Sequence, residues 1–109
     1  MADAKPDYAE NVKKFARTTN AAAVAGIVKH LGIALHGKDS SLVSATDPAE
    51  LQRVRDGFMR KKLGLKDSDA VLDASLKEVM AQMAGERNKS RVTVCYLLAE
   101  RFGKLDIFS

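Results

Sequence analysis

The sequence predicts an all-α protein: a compact bundle of about five helices with the C-terminal helix in the middle. Three observations carry this. Apolar residues recur at helical spacing in successive segments, with no sustained two-residue alternation of a strand. Helix-start and helix-stop residues punctuate those segments. One segment, residues 92–99 (VTVCYLLA), is apolar on every side, which only a helix surrounded by others tolerates.

The first helix is expected over 6–17. Pro6 suits the first helical position because its missing N–H has no intrahelical partner there. Tyr8, Val12 and Phe15 give it one apolar face. Asn20 caps the second helix, and Val24, Ile27, Val28 and Leu31 form its stripe. Gly32 ends it in a conformation open to glycine, with Ile33 folding back on Val28 and a short helical turn after it; the alternative is a stripe that continues through Leu35 to a stop at Gly37. Residues 37–46 read as a loop with one helical turn around Leu42 and Val43.

The strongest local signal is Asp47-Pro48-Ala49-Glu50. An Asx cap, a proline at the first position and a glutamate three residues after the cap resemble a capping box. The third helix turns Leu51, Val54, Phe58 and Met59 inward and stops at Gly64, with Leu65 packing back on Met59. Ser68 or Asp67 caps the fourth. Its stripe is Leu72, Leu76, Val79, Met80 and Met83, and Gly85 ends it. Asn88 is expected to cap the fifth helix and Gly103 to end it. The whole chain, 1–109, is one domain, with 1–5 and 105–109 as candidate flexible ends, although Leu105, Ile107 and Phe108 are too apolar to lie loose in water.

Composition narrows the functional classes. Hydrophobic residues make up 46% and charged residues 29% of 109, a globular balance. No run of about 18 apolar residues is present to span a bilayer, and the first residues lack the apolar centre of a secretion signal. One cysteine precludes an internal disulfide and fits a reducing cytoplasm. Net charge is +4, distributed in blocks: +2 over 1–46, +3 over 47–66, −4 over 67–86 and +3 over 87–109. A nucleic-acid binder more often carries one uninterrupted basic field.

No catalytic constellation, cofactor motif or metal-ligand set stands out, so catalytic, cofactor and metal residues are expected to be none. Ser40, Ser41 and Ser44 lie near Asp39, Asp47, His30 and His36, but no nucleophile-elbow glycines flank them; capping of turns explains such serines. His30 and His36, six apart, do not share a helical face. Cys95 reads as an inert core thiol, and Met59, Met80 and Met83 as core packing. Arg60, Lys61 and Lys62 close a helix, where its dipole favours cations. Arg87, Asn88, Lys89 and Arg91 open one, where stability alone would place acids. They make a candidate anion site, weighed against pairing with Glu78 or Glu86. A helix-turn-helix across Gly64–Asp67 is rejected, because Asp69, Asp73 and Glu78 would face phosphate.

At Ser41-Leu42-Val43-Ser44, Asp47-Pro48, Leu51, Phe58, Lys61-Lys62-Leu63-Gly64-Leu65, Arg87-Asn88-Lys89, Arg91, Tyr96-Leu97-Leu98 and Phe102-Gly103-Lys104 the chain resembles a bacterial family, domain of unknown function 2853. The resemblance spans about 11–104. It implies a compact helical protein of the bacterial cytoplasm and carries over no activity, cofactor or catalytic residue.

Three functions are weighed from the residues. The first is a non-enzymatic protein-interaction module, partnered by another protein or by itself. In that reading Leu105, Ile107 and Phe108 form an interaction surface, and an acidic patch meets a basic one between copies. The second is binding of phosphate or nucleic-acid backbone through Arg87, Asn88, Lys89, Arg91, Arg60, Lys61 and Lys62. The third is an enzyme with a site near His30, His36 and the serine loop. No membrane partner is expected.

Overall fold

The computed structural model describes residues 8–32, 35, 42–86 and 89–108. Among these, five α-helices form: α1 (Tyr8–Phe15), α2 (Ala21–Leu31), α3 (Pro48–Arg53), α4 (Asp69–Gln82) and α5 (Arg91–Arg101). The all-α expectation holds. The central helix is α5. All eight residues of 92–99 are buried, and the helix packs on α1, α2 and α4.

Two caps work as their residue types predict. The Asn20 side chain accepts from the Ala23 amide at 3.1 Å. The Ser68 hydroxyl accepts from the Val71 amide at 3.3 Å, which settles the cap of α4 on Ser68 rather than Asp67. Helix α2 ends at Leu31, and Gly32 carries φ +47°, a backbone that side chains rarely adopt. Pro6, Ile33 and Asn88 lie outside the described residues.

Several boundaries differ from expectation. Asp47 caps α3 by accepting from Ala49 and Glu50, but Glu50 does not complete a box; its carboxylate turns to Arg53 and Arg91 instead. Beyond Arg53 the helix widens into a π-helix, Val54–Lys62, closed by the Leu63 amide donating to the Phe58 carbonyl. Val54, Phe58, Met59 and Leu63 are all buried, at separations that an i→i+5 turn aligns on one face. Helix α4 stops at Gln82, where the Met83 amide folds back on Val79 and Met80; Gly85 follows in the turn without a positive φ. Ser90, not Asn88, occupies the cap position of α5, with no side-chain capping bond.

The expected helical turn at Leu42 and Val43 is instead a strand, β1 (Leu42–Val43), antiparallel to β2 (Lys89–Ser90), with Leu42 opposite Ser90 and Val43 opposite Lys89. Val43 is buried. Partners nearly fifty residues away drive this pairing, and local periodicity carries no trace of it.

After Gly103 (φ +67°) the chain forms a short 3-10 turn, Leu105–Ile107. Phe108 is 8% exposed and Leu105 packs on the core. Residues 105–108 are thus a docked segment rather than a flexible end. Gly26 makes this docking possible. A Cβ at that position would lie 2.0 Å from the Phe108 carbonyl oxygen. A mid-helix glycine costs roughly 0.5–1 kcal/mol against alanine, and here it yields room for a second backbone.

Candidate functional site

The C-terminal ends of α2 and of the π-helix meet the docked segment at one end of the bundle. The Phe108 ring stacks on Phe58, with centroids 6.0 Å apart and planes 10° from parallel. His30, in the last turn of α2, tilts against both rings at 6.1 and 6.2 Å. The Lys62 ammonium stands 5.4 Å over the centre of Phe108, a cation–π contact. Partial desolvation of the otherwise exposed ring, then the charge of Lys62, holds the His30 imidazole below its ordinary value.

This cluster revises the apolar interaction surface expected at Leu105, Ile107 and Phe108. Phe108 and Leu105 face their own chain; Ile107, 46% exposed, remains outward. Two of the three large apolar groups therefore pack within the chain.

The arginines form a second arrangement. Arg55 reaches Asp56 at 2.9 Å, both oxygens of Asp73 at 3.2 Å and Asp69 at 3.8 Å. Its guanidinium is held charged more firmly than usual, first through the Asp56 bond, and Arg55 in turn lowers the Asp56 carboxyl. Arg60 pairs with Asp56 at 3.6 Å and with Asp69. Arg101 pairs with Glu78. Three carboxylates of the acidic block, Asp69, Asp73 and Glu78, are therefore neutralised by neighbouring helices.

Arg91 of the expected anion site donates to Glu50 and, at 3.2 Å, to the Leu42 carbonyl. Its partner is a carboxylate of α3, not Glu78 or Glu86 as weighed from the sequence. Lys89 donates to the Glu86 backbone carbonyl at 2.9 Å. Arg87 and Asn88 lie outside the described residues. The second basic group is also divided: Arg60 is paired, Lys62 lies on Phe108, and Lys61 is exposed. Arg91 pairs with Glu50 of α3, while Lys62 lies over Phe108 of the docked segment.

Among the described residues every cation in an ion pair is an arginine: Arg53, Arg55, Arg60, Arg91 or Arg101. Lys13, Lys14, Lys29, Lys61, Lys66 and Lys77 are exposed and stand outside these pairs. Sequence reasoning missed this division. The planar guanidinium suits bidentate carboxylate pairing while the ammonium is more strongly hydrated, but which acids lie near is a tertiary fact.

The remaining candidates resolve simply. Burial pushes the Cys95 thiol up to about 12. Met59 and Met83 are fully buried, and Met80 nearly so. His30 has rings and an ammonium as neighbours; His36, Asp39, Ser40 and Ser41 lie outside the described residues, and Ser44 is exposed. Among the described residues no group of three or more His, Cys, Asp or Glu side chains is placed to hold a metal, and no helix is long and apolar enough to cross a membrane.

A family model described as "Protein of unknown function (DUF2853)" matches residues 7–106. No curated protein matches the chain.

Proposed function

We propose that this chain, which belongs to the DUF2853 family, is a non-enzymatic interaction module whose exposed lysines engage an acidic protein partner. One observation carries the reading: arginines pair with Asp69, Asp73 and Glu78, three of the five carboxylates of 67–86, and lysines are left facing solvent. A surface of that kind attracts negative charge and repels its own copies. Self-association by an acidic patch meeting a basic one loses its acidic half, because Asp69, Asp73 and Glu78 are already paired. The free thiol of Cys95, deep in the core, fits the same reading of a protein of the bacterial cytoplasm.

Binding of nucleic-acid backbone is the second reading, favoured by the same lysines. Its stacking surface is limited: Tyr96, Phe58 and Phe108 are buried, and Tyr8, Phe15 and Phe102 are half-buried against the core.

Calorimetric titration with a glutamate-rich peptide, with its glutamine counterpart and with short RNA, at low and at moderate salt, tests the reading. Binding of the glutamate peptide alone, weakened by salt, is expected. Preferential binding of RNA supports the second reading, and no binding of any of the three overturns both. Light scattering on the same samples is expected to give a monomer.

A further inference from the structure

Most exposed lysines of this chain have acids as close neighbours. Lys13 and Lys14 share the short helix α1 with Glu10, Lys66 precedes Asp67, and Lys77 lies between Asp73 and Glu78 on α4. The end of the bundle around Phe108 differs. Helix α2 carries no carboxylate, and its last turn holds Lys29 and His30. The one carboxylate of the π-helix, Asp56, is held by Arg55 and Arg60, and that helix closes on Lys61 and Lys62. His30 and Lys62 meet the same ring, Phe108, at 6.1 and 5.4 Å. Lys29, His30, Lys61 and Lys62 are all exposed. Each helix dipole favours cations at its own end, but two such ends brought onto one ring add cations that repel each other. Asp106 lies in the docked segment and is already engaged.

The same end carries an apolar group. Ile107 is 46% exposed and stands beside Phe108 in the chain. Among the described residues the other large hydrophobic side chain left outward is Val71, on the acidic helix α4.

We infer that this end receives the acidic partner, as a segment whose carboxylates flank a large apolar side chain. The inference rests on the reading of an acidic protein partner above, and it gives that partner a place and a sequence preference. Carboxylates of the segment meet Lys29, Lys61 and Lys62, and its apolar side chain covers Ile107. Exposed ion pairs are individually weak and screened by salt, so charge alone gives little selectivity here. Apolar burial adds an attraction that salt does not screen. The ammonium of Lys62 is already placed by the Phe108 ring, so less side-chain freedom is lost when a carboxylate arrives. A phosphate backbone brings the charge without an apolar side chain to set on Ile107.

The test titrates the full-length protein, followed by amide-resolved nuclear magnetic resonance, with three probes at low and moderate salt. These are a glutamate-rich peptide with one central leucine, the same peptide with alanine at that place, and short RNA. The leucine peptide is expected to bind most tightly, with the largest shifts at 29, 61, 62 and 107. Lys29→Gln together with Lys61→Gln is expected to weaken it about two- to fivefold per cation, and Lys13→Gln with Lys14→Gln by less. Ile107→Ser is expected to bind the two peptides equally. These positions are exposed, and far-ultraviolet dichroism checks that each variant folds. Equal binding of both peptides by the unaltered protein, or equal losses in the two lysine pairs, overturns this inference and leaves the broader reading standing. Binding of neither peptide, or preferential binding of RNA, overturns both.

Discussion

The hydroxyl of Tyr96, on the central helix, accepts a hydrogen bond from the Asn20 amide at 2.9 Å and donates one to the Thr18 carbonyl at 2.8 Å. A side chain buried at 0% exposure thus fixes the connection between α1 and α2 from inside the core. Asn20 simultaneously caps α2, so one tyrosine sets where two helices meet the third. Tyr96→Phe keeps the packing and leaves both backbone groups without this partner. The expected loss is about 0.5–1.5 kcal/mol, the net worth of a part-buried hydrogen bond, read as a lower urea midpoint with unchanged slope.

Gly26→Ala is expected to destabilise in spite of alanine's better helix propensity. The new Cβ meets the Phe108 carbonyl, a backbone atom that cannot rotate away. Overpacking costs about 1–3 kcal/mol or displaces the segment, against a propensity gain of roughly 1 kcal/mol. Gly85→Ala is the control: its Cβ enters open space without positive φ, and a gain of about 0.4–1 kcal/mol is expected. Thermal denaturation of the two variants separates these signs.

Two ion pairs that share Glu50 should differ in weight. Arg91 and Glu50 are only 16% and 12% exposed, whereas Arg53 is 65% exposed. Arg53→Ala is expected to cost less than about 1 kcal/mol, as exposed pairs do. Glu50→Ala removes the carboxylate facing Arg91 where β1 joins α5, and an expected loss of about 1–3 kcal/mol lies below the cost of breaking a fully buried pair. Chemical denaturation of both variants checks the ranking.

Cys95 should resist alkylation in the folded protein and react on unfolding. Its thiol, pushed up to about 12 from an ordinary 9, keeps its proton when the unfolded thiol would lose it. The folded state therefore binds more protons above pH 9, and stability falls there by up to about 1.4 kcal/mol per pH unit through this group. Cys95→Ala should remove that part of the alkaline decline, measured by denaturation at pH 8 and pH 10.

The bundle was legible where the signal is local. The stripe Leu72, Leu76, Val79, Met80 and Met83 follows from helical spacing alone, and the all-round apolar 92–99 announces a central helix because no exposed helix could carry it. What was not legible depends on partners far along the chain. The Val43–Lys89 pairing and the clasp of Phe108 on Gly26 each join segments that no window of residues contains together. The charged surface was half legible. Block counts gave the sign of each segment, but only the fold brings Arg55 and Arg60 against Asp69 and Asp73, offsetting much of the acidic block.

That offset is the centre of the functional proposal, and amide-resolved titration of the full-length protein with a glutamate-rich peptide tests it most directly. The account predicts salt-sensitive shifts at lysine-bearing positions such as 13, 14, 29, 61 and 66, with the face of Asp69, Asp73 and Glu78 unmoved. Shifts confined to that carboxylate face, or provoked equally by a lysine-rich peptide, would contradict it.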